Sequence, residues 1–431
     1  SQLLTSVALN KTHLVEENNA VPFEPSLLLP KGKPIFKETN VLNFTHHENP
    51  AIDFNTQILL PHLYSSGGPR MAKGDVNGDG LEDIYVCGAT DQAGQLFLQT
   101  NSGLFTPNTQ PAFEADKAFE DRDAVFFDAD GDRDLDLYVV SGEYDVNYAQ
   151  LQDRLYLNNG KGAFSRSLMG QIPEIMLNKT CVEAFDADGD GDMDLFLGGG
   201  VQTANFPYAT ESHLLQNDGQ GPVVIAQKWA LGLLTDVAEA DINTDNAPDL
   251  IVSAEWKPIQ VLENQKKGLH FTLSTVPSVG LWSRIAPADL DGDGDVDFVV
   301  GNVGLNTALK ATNQQPMTLY YDDFDQNGRL DPFIAYFNQG QVYPLAGRDE
   351  ALEQLAPLRK NFIDYKSYST ATAEEVLGQE WSARAVKLKV NELRTGILMN
   401  EKGRLTFKPL PLTAQTSPIY AIATADFDGD G

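Results

Sequence analysis

The stretch DLDGDGDVDFVVG, from Asp289 to Gly301, decides the fold. Aspartates occupy its positions 1, 3, 5, 7 and 9, and an apolar run follows. Side chains at positions 1, 3 and 5 of a tight turn converge on one point, and the carbonyl of position 7 and the aspartate of position 9 close the shell. Hard oxygen donors at that density suit calcium; magnesium, the rival ion, favours octahedral geometry with several retained waters. Glycine at position 6, here Gly294, permits the sharp turn. The apolar run is short and ends in glycine, as buried strands do, so the loop is a hairpin turn between two strands.

The pattern occurs seven times. Its ligand positions 1, 3, 5, 7 and 9 fall at Asp75, Asn77, Asp79, Leu81 and Asp83; Asp128, Asp130, Asp132, Asp134 and Asp136; and Asp186, Asp188, Asp190, Asp192 and Asp194. They continue at Asp241, Asn243, Asp245, Ala247 and Asp249; Asp289, Asp291, Asp293, Asp295 and Asp297; Asp323, Asp325, Asn327, Arg329 and Asp331; and finally Asp426, Asp428 and Asp430. An EF-hand would also need a glutamate at position 12 and flanking helices, whereas position 12 of the first loop is Val86, inside the apolar run DIYVCGA. Position 6 is glycine at Gly80, Gly191, Gly294, Gly328 and Gly431. Asn246 tolerates the left-handed backbone there, and Arg133 does so less readily.

Successive first aspartates lie 53, 58, 55, 48, 34 and 103 residues apart, close to the length of a four-stranded blade except in the last two intervals. A second pattern recurs between the loops: QLFLQTNSGLF from Gln95, RLYLNNGKGAF from Arg154, HLLQNDG from His213, VLENQKKGLHF from Val261 and ILMNEKGRLTF from Ile397. Strand, Asn-Gly-type turn and strand with an aromatic make a hairpin, the outer half of each blade. The aromatic is expected to pack between neighbouring blades. The fold class is therefore all-β, a β-propeller with calcium-binding hairpin loops.

Acidic residues number 61 against 31 basic ones, a net charge of −30. That excess repels nucleic acid and anionic lipid over most of the surface and calls for divalent cations among the carboxylates. No apolar stretch is long enough to form a transmembrane helix. Cys87 and Cys181 stand in strand-like surroundings and read as buried thiols rather than a disulfide framework. The chain begins without Met and stops inside a motif, so it reads as a piece of a longer protein with further domains.

These residues resemble the FG-GAP/VCBS repeats of integrin α-like propellers and bacterial surface proteins. HHENPAIDF from His46, the stretch from Leu59 to Asp83, GNVGLNT from Gly301 and the stretch from Leu410 to Gly431 are similar to Bacteroidetes-type secreted VCBS proteins related to the cartilage acidic protein and UnbV group. The resemblance implies a seven-bladed β-propeller with several structural calcium ions, an extracellular or cell-surface location, and a role in adhesion, matrix or glycan handling.

Residues 1–33 lack periodicity and read as a linker or a strand from a preceding region; the propeller covers 34–431, with the last blade cut short. PIFKETN, VLNFTHH and DFNTQILL look strand-like ahead of the first loop. Residues 348–378 read as a small helical insertion, with Leu352, Leu355, Leu358 and Phe362 at helical spacing and a capping box at Thr372 and Glu375. His46 and His47, with Glu48, Asn49 and Asp53, form either a polar site or a capped turn. Trp256 and Trp282 lie next to strand ends, where an exposed indole would stack on a sugar ring and a buried one would fill a blade core. No HExxH, GxSxG or CxxC occurs. The favoured function is a non-catalytic module binding an extracellular protein or glycan, the alternatives being a polysaccharide-acting enzyme or a purely structural propeller. Chelation is predicted to lower the melting temperature by many degrees and Asp289→Ala alone by less, read by calorimetry; an unchanged curve would count against structural calcium.

Overall fold

The computed structural model describes residues 39, 41–144, 148–265 and 269–427, with Phe44–Gly431 as one compact unit. The segment 1–33 and Asp428 and Asp430 of the seventh loop lie outside the described residues.

Five antiparallel sheets follow one another along the chain. The first is built from Met71–Gly74, Asp83–Val86, Gln95–Gln99 and Phe105–Asn108, and the second from Asp121–Phe127, Asp136–Ser141, Arg154–Leu157 and Ser165–Arg166. The third comprises Lys179–Phe185, Asp194–Gly199, Ser212–Gln216 and Val224–Trp229. In the fourth, Leu233–Ala240 pairs with Asp249–Asn264, which pairs with Phe271–Leu281. The middle run doubles back at Trp256, whose φ of +60° is left-handed, so that the Asn264 N–H returns to the Asp249 carboxylate at 2.7 Å. The fifth sheet pairs Arg284–Ala288, Asp297–Gly301, Gly396–Glu401 and Arg404–Pro409. First strands of consecutive sheets adjoin in chain order, which makes the sheets the blades of a β-propeller.

Second strands such as Asp136–Ser141 and Asp194–Gly199 are buried at every residue, because blades cover both of their faces. The outer strand Val224–Trp229 is mostly exposed. Four apolar cores lie between adjacent blades, and the hairpin aromatics Phe164, Phe271 and Phe407 pack into three of them. Cys87 and Cys181 are free and buried.

The sixth loop does not open a further blade in series. Residues 302–395 are inserted between the second and third strands of the fifth blade, which pair directly across the insertion, Phe298 opposite Leu398. The insertion carries its own sheet, ordered Gln341–Pro344, Asp331–Asn338, Met317–Asp322, Val386–Val390, and the sixth loop joins its two central strands. The 34- and 103-residue intervals arise from this nesting. The helices Arg348–Gln354, Tyr365–Ser369 and Ala373–Arg384 lie in the same insertion, so the inserted region is larger than a helical segment at 348–378. Thr372 and Glu375 form a capping box on the last helix. Ahead of the first blade, DFNTQILL makes a single 3-10 turn at Asp53–Asn55, and no strand forms among the described residues of VLNFTHH.

One hydrogen-bond device repeats through all six described loops. The position-9 aspartate is buried, and one of its oxygens accepts the N–H of position 2: Val76, Ala129, Ala187, Ile242, Leu290 and Phe324, at 2.9–3.1 Å. The other oxygen accepts a backbone N–H from the third strand's end, at Gln99, Asn158, Asn217, Asn264 and Asn400; in the inserted sheet Gln354 Nε2 takes that place. The same asparagines reach back to the preceding blade. Asn158 Nδ2 donates to the Val76 carbonyl, Asn217 to Asp128, Asn264 to Ala187 and Asn400 to Ile242. Removing such a carboxylate strands two buried N–H groups, at about 1–3 kcal/mol each. Asp194→Ala is therefore expected to lower stability by about 2–4 kcal/mol even in chelator, whereas Asp190→Ala in the same loop changes stability only when calcium is present; urea denaturation with and without chelator separates the two.

Candidate metal centres and an axial cavity

Each loop starts from its first aspartate. In the first loop, Asp75 accepts the N–H groups of Gly78 and Gly80 at 2.8 Å, and Asp79 accepts that of Leu81 at 2.9 Å. Asp128, Asp186, Asp241, Asp289 and Asp323 hold their loops in the same way. The turn needs left-handed backbone at position 6 and also at position 4, which the sequence reading did not single out. Among the six described loops position 4 is glycine in four but Thr244 (φ +58°) and Gln326 (φ +61°) in the others, and Arg133 (φ +75°) and Asn246 (φ +63°) adopt the turn at position 6.

This folding brings ligand positions together. One carboxylate oxygen from each of Asp128, Asp130 and Asp136 lies within 4.8 Å of the others, and Asp186/Asp188/Asp194, Asp289/Asp291/Asp297 and Asp323/Asp325/Asp331 do the same. In the first and fourth loops position 3 is Asn77 or Asn243. These clusters could hold a metal ion, and the residues fit one. The side-chain oxygen of Asn243 is buried with no hydrogen-bond partner, as is Oδ1 of Asp134. Every donor is a hard oxygen, and a carboxylate oxygen that already accepts one N–H keeps a lone pair for a cation. Burial pushes Asp136 and Asp194 up to about 7, outweighing their backbone N–H bonds, and neighbouring aspartates add to the rise. Asp249 and Asp331 are pushed up to about 6 chiefly by the same burial. A bound divalent cation would supply the positive charge that lets these groups ionise together.

Residues 75–139 and 241–300 match the FG-GAP-like repeat. The two matched stretches of FG-GAP-like repeat carry the first, second, fourth and fifth loops. No curated protein matches the chain. Solved structures with some similarity to the chain include a putative exo-β-1,3-galactanase from Bifidobacterium bifidum, at 10 % identity and TM-score 0.32 over 64 % of this chain and 91 % of that one. A thermostable family-43 glycoside hydrolase is 11 % identical with TM-score 0.31, over 65 % and 92 %. The periplasmic gluconolactonase of Pseudomonas aeruginosa is 10 % identical with TM-score 0.31, over 64 % and 72 %.

The first strand of each blade ends at its metal loop and begins at the opposite face, where a cavity of about 550 Å³ opens. Its floor is Arg70, which bridges Asp236 (2.7 Å) and Asp123 (3.3 Å), tying the first, second and fourth blades. Burial alone would lower the Arg70 pKa, but these two carboxylates raise it. The wall includes Glu255, which accepts from His62 Nε2 at 2.6 Å and from the Tyr64 hydroxyl at 2.8 Å. Burial alone would lower His62, yet the Glu255 charge and hydrogen bond lift it to about 9; burial pushes Tyr64 well above its ordinary value. The segment carrying His62 and Tyr64 is anchored by Asp53, whose carboxylate accepts the N–H groups of Tyr64 and Ser65, and by buried Gln57, which donates to the Leu330 carbonyl at 2.7 Å. None of Arg70, His62, Tyr64 or Glu255 was singled out in the sequence, because no local spacing joins residues 193 positions apart.

The earlier candidates distribute differently. His46 pairs with Glu48 at 2.8 Å and Asn49 reaches Glu143 at 2.8 Å, while Asp53 serves as the anchor just described. Trp256 is 3 % exposed and Trp282 1 %, so both fill cores rather than offering a stacking face. Trp282 Nε1 donates to the Lys257 carbonyl, and the left-handed turn at Trp256 folds its indole inward.

Two expectations follow from this geometry. Thr244→Gly relieves a β-branched residue at positive φ and is expected to raise stability by about 1 kcal/mol, whereas Gly292→Thr, at the same position of the next loop with open space around it, lowers it by a similar amount in urea melts. His62 is held protonated by Glu255, so its stabilising contribution is present below 6.5 and lost as pH rises through about 9. In Glu255→Gln the main charge that raises His62 is lost, and the imidazole midpoint followed by NMR is expected to fall well below about 9.

Proposed function

We propose that the chain is a calcium-organised extracellular propeller that binds a protein or glycan ligand. The observation that carries this reading is the separation of its two ends. The clusters of the blade loops, Asp128/Asp130/Asp136, Asp186/Asp188/Asp194 and Asp289/Asp291/Asp297, gather at one end of the inner strands and a preformed cavity lies at the other, while Asp323/Asp325/Asp331 belongs to the inserted sheet. Cations at the first end would relieve the self-repulsion of a −30 chain and fix the blades without touching the ligand. In this reading Asp75, Asn77, Asp79, Asp83 and the corresponding groups of the other loops hold calcium, with the carbonyls of Leu81, Asp134, Asp192, Ala247, Asp295 and Arg329 as further ligands.

One feature favours a second reading, a polysaccharide-acting enzyme. Tyr64 and His62 both donate to the Glu255 carboxylate inside the cavity, a cluster of proton-bearing groups of the kind that acid–base catalysis uses. A glycan array with and without chelator, run beside a turnover assay on the glycans that bind, decides between them. The binding module retains its ligand unchanged; cleavage abolished by Tyr64→Phe would establish the enzyme instead. Failure to bind any glycan or extracellular protein would leave only a structural propeller.

A further inference from the structure

The cavity contains more positive charge than it pairs. The chain has about two acids for every base, so an arginine without a carboxylate partner is unexpected, yet two such arginines border this one space. Arg122, at the start of the second blade's inner strand, forms no ion pair among the described residues, and its hydrogen bond is a 3.4 Å contact to the Ser65 carbonyl. Its guanidinium lies against Gly67, where any Cβ would fall 2.4 Å from Nη2, and its Cγ lies against Gly142. Two glycines thus make room for it. Arg284, at the same place in the fifth blade, donates among the described residues only to carbonyls, those of Tyr420, Thr235 and Ser283.

Arg70, already held by Asp123 and Asp236, lies close enough to both to repel them. Burial and this repulsion lower the pKa of each, against the opposing pull of nearby acids. The acids acting most on Arg122 are Glu120 and Glu48. Glu48 is bonded to His46; Glu120 is bonded to Thr90, and burial pushes it up to about 7. The lining also includes Leu63, Val201, Leu233, Tyr64 and Tyr420, apolar and aromatic surface for more than a bare ion, and the Glu255 carboxylate of the wall is already held by His62 and Tyr64.

We propose that Arg122 and Arg284 form an oxyanion site in the axial cavity, which takes the carboxylate or sulfate ester of an acidic sugar or comparable small organic anion. A guanidinium matches two oxygens of such a group in one plane, and in a partly desolvated cavity the pairing is stronger than at the surface. The surrounding −30 charge excludes large polyanions, whereas a single anionic group inside the cavity meets the arginines at short range, within the screening length of about 8 Å. This site rests on the reading of the chain as a binding module and names the chemistry it would select.

The test is calorimetric titration of the calcium-loaded protein with D-glucuronate, D-glucose 6-sulfate, D-glucose and inorganic sulfate at fixed ionic strength. At least one acidic sugar is expected to bind about ten-fold or more tighter than glucose, with a similar loss in Arg122→Gln and in Arg284→Gln. Which acidic sugar binds distinguishes carboxylate from sulfate ester. Arg404→Gln, on an exposed outer strand of the fifth blade, is expected to bind as the parent does. Chelator-sensitive melting checks the fold of each variant at the opposite end of the blades, and Arg122→Lys, which keeps the charge but loses the fork, is expected to bind weakly. Equal binding of glucose and the acidic sugars, no binding of either, binding of inorganic sulfate alone, or undiminished binding in both glutamine variants would overturn the site. Those results would leave the binding reading standing if the glycan array is positive, and a negative array with acidic-sugar binding intact would redirect it to small ligands.

Discussion

The buried carboxylate at the ninth loop position is the constraint on which the rest of the structure depends. It closes the hairpin by taking the N–H of position 2, joins the second strand to the third through another N–H, and presents oxygens to the place where a cation would sit. A carboxylate in that position has four lone-pair sites and an otherwise apolar setting, so losing any partner is costly. The asparagine at the third strand's end extends the same connection to the neighbouring blade. Each loop is thereby a corner in which turn, blade and inter-blade contact are fixed by a few atoms.

The arrangement also gives the molecule two chemically different ends. Inner strands of four to eight residues run from the arginine-bearing cavity to the aspartate loops, a span of roughly 13–26 Å at about 3.3 Å per residue. At one end like charges accumulate and await neutralisation by cations. At the other, Arg70 is neutralised by aspartates of two other blades, while the His62 and Tyr64 segment lines the cavity. Stability and recognition are therefore carried by separate groups, and changes at either end are expected to act independently because a whole strand layer lies between them.

The insertion shows why loop counting fell short. DFDQNGRLD satisfies every local rule of the repeat and closes its turn as its relatives do, down to Asp331 accepting the Phe324 N–H. Nothing within those nine residues records that the flanking strands belong to a nested sheet. The clue was the interval pattern, a short spacing followed by a long one, which fits an element inserted into a blade better than a missing repeat. Trp256 and Trp282 failed for a related reason: a tryptophan beside a strand end looks alike whether the neighbouring blade covers it or leaves it open.

By itself the sequence determined the features that depend on a few adjacent residues: the aspartate loops, the hairpins on either side, the short buried strands, the cap at Thr372 and the surplus of negative charge. Backbone preference, side-chain reach and Coulomb repulsion operate over such distances, so local spacing is enough to read them. Only the tertiary structure decided which loops belong to successive blades, which tryptophans are covered, and that Arg70, Arg122, Glu255 and Arg284 surround one cavity. The arginines meet because several blades point the starts of their inner strands toward a common axis, Glu255 joins them from the neighbouring second strand of the fourth blade, and an axis shared between distant segments leaves no periodic trace in any one of them.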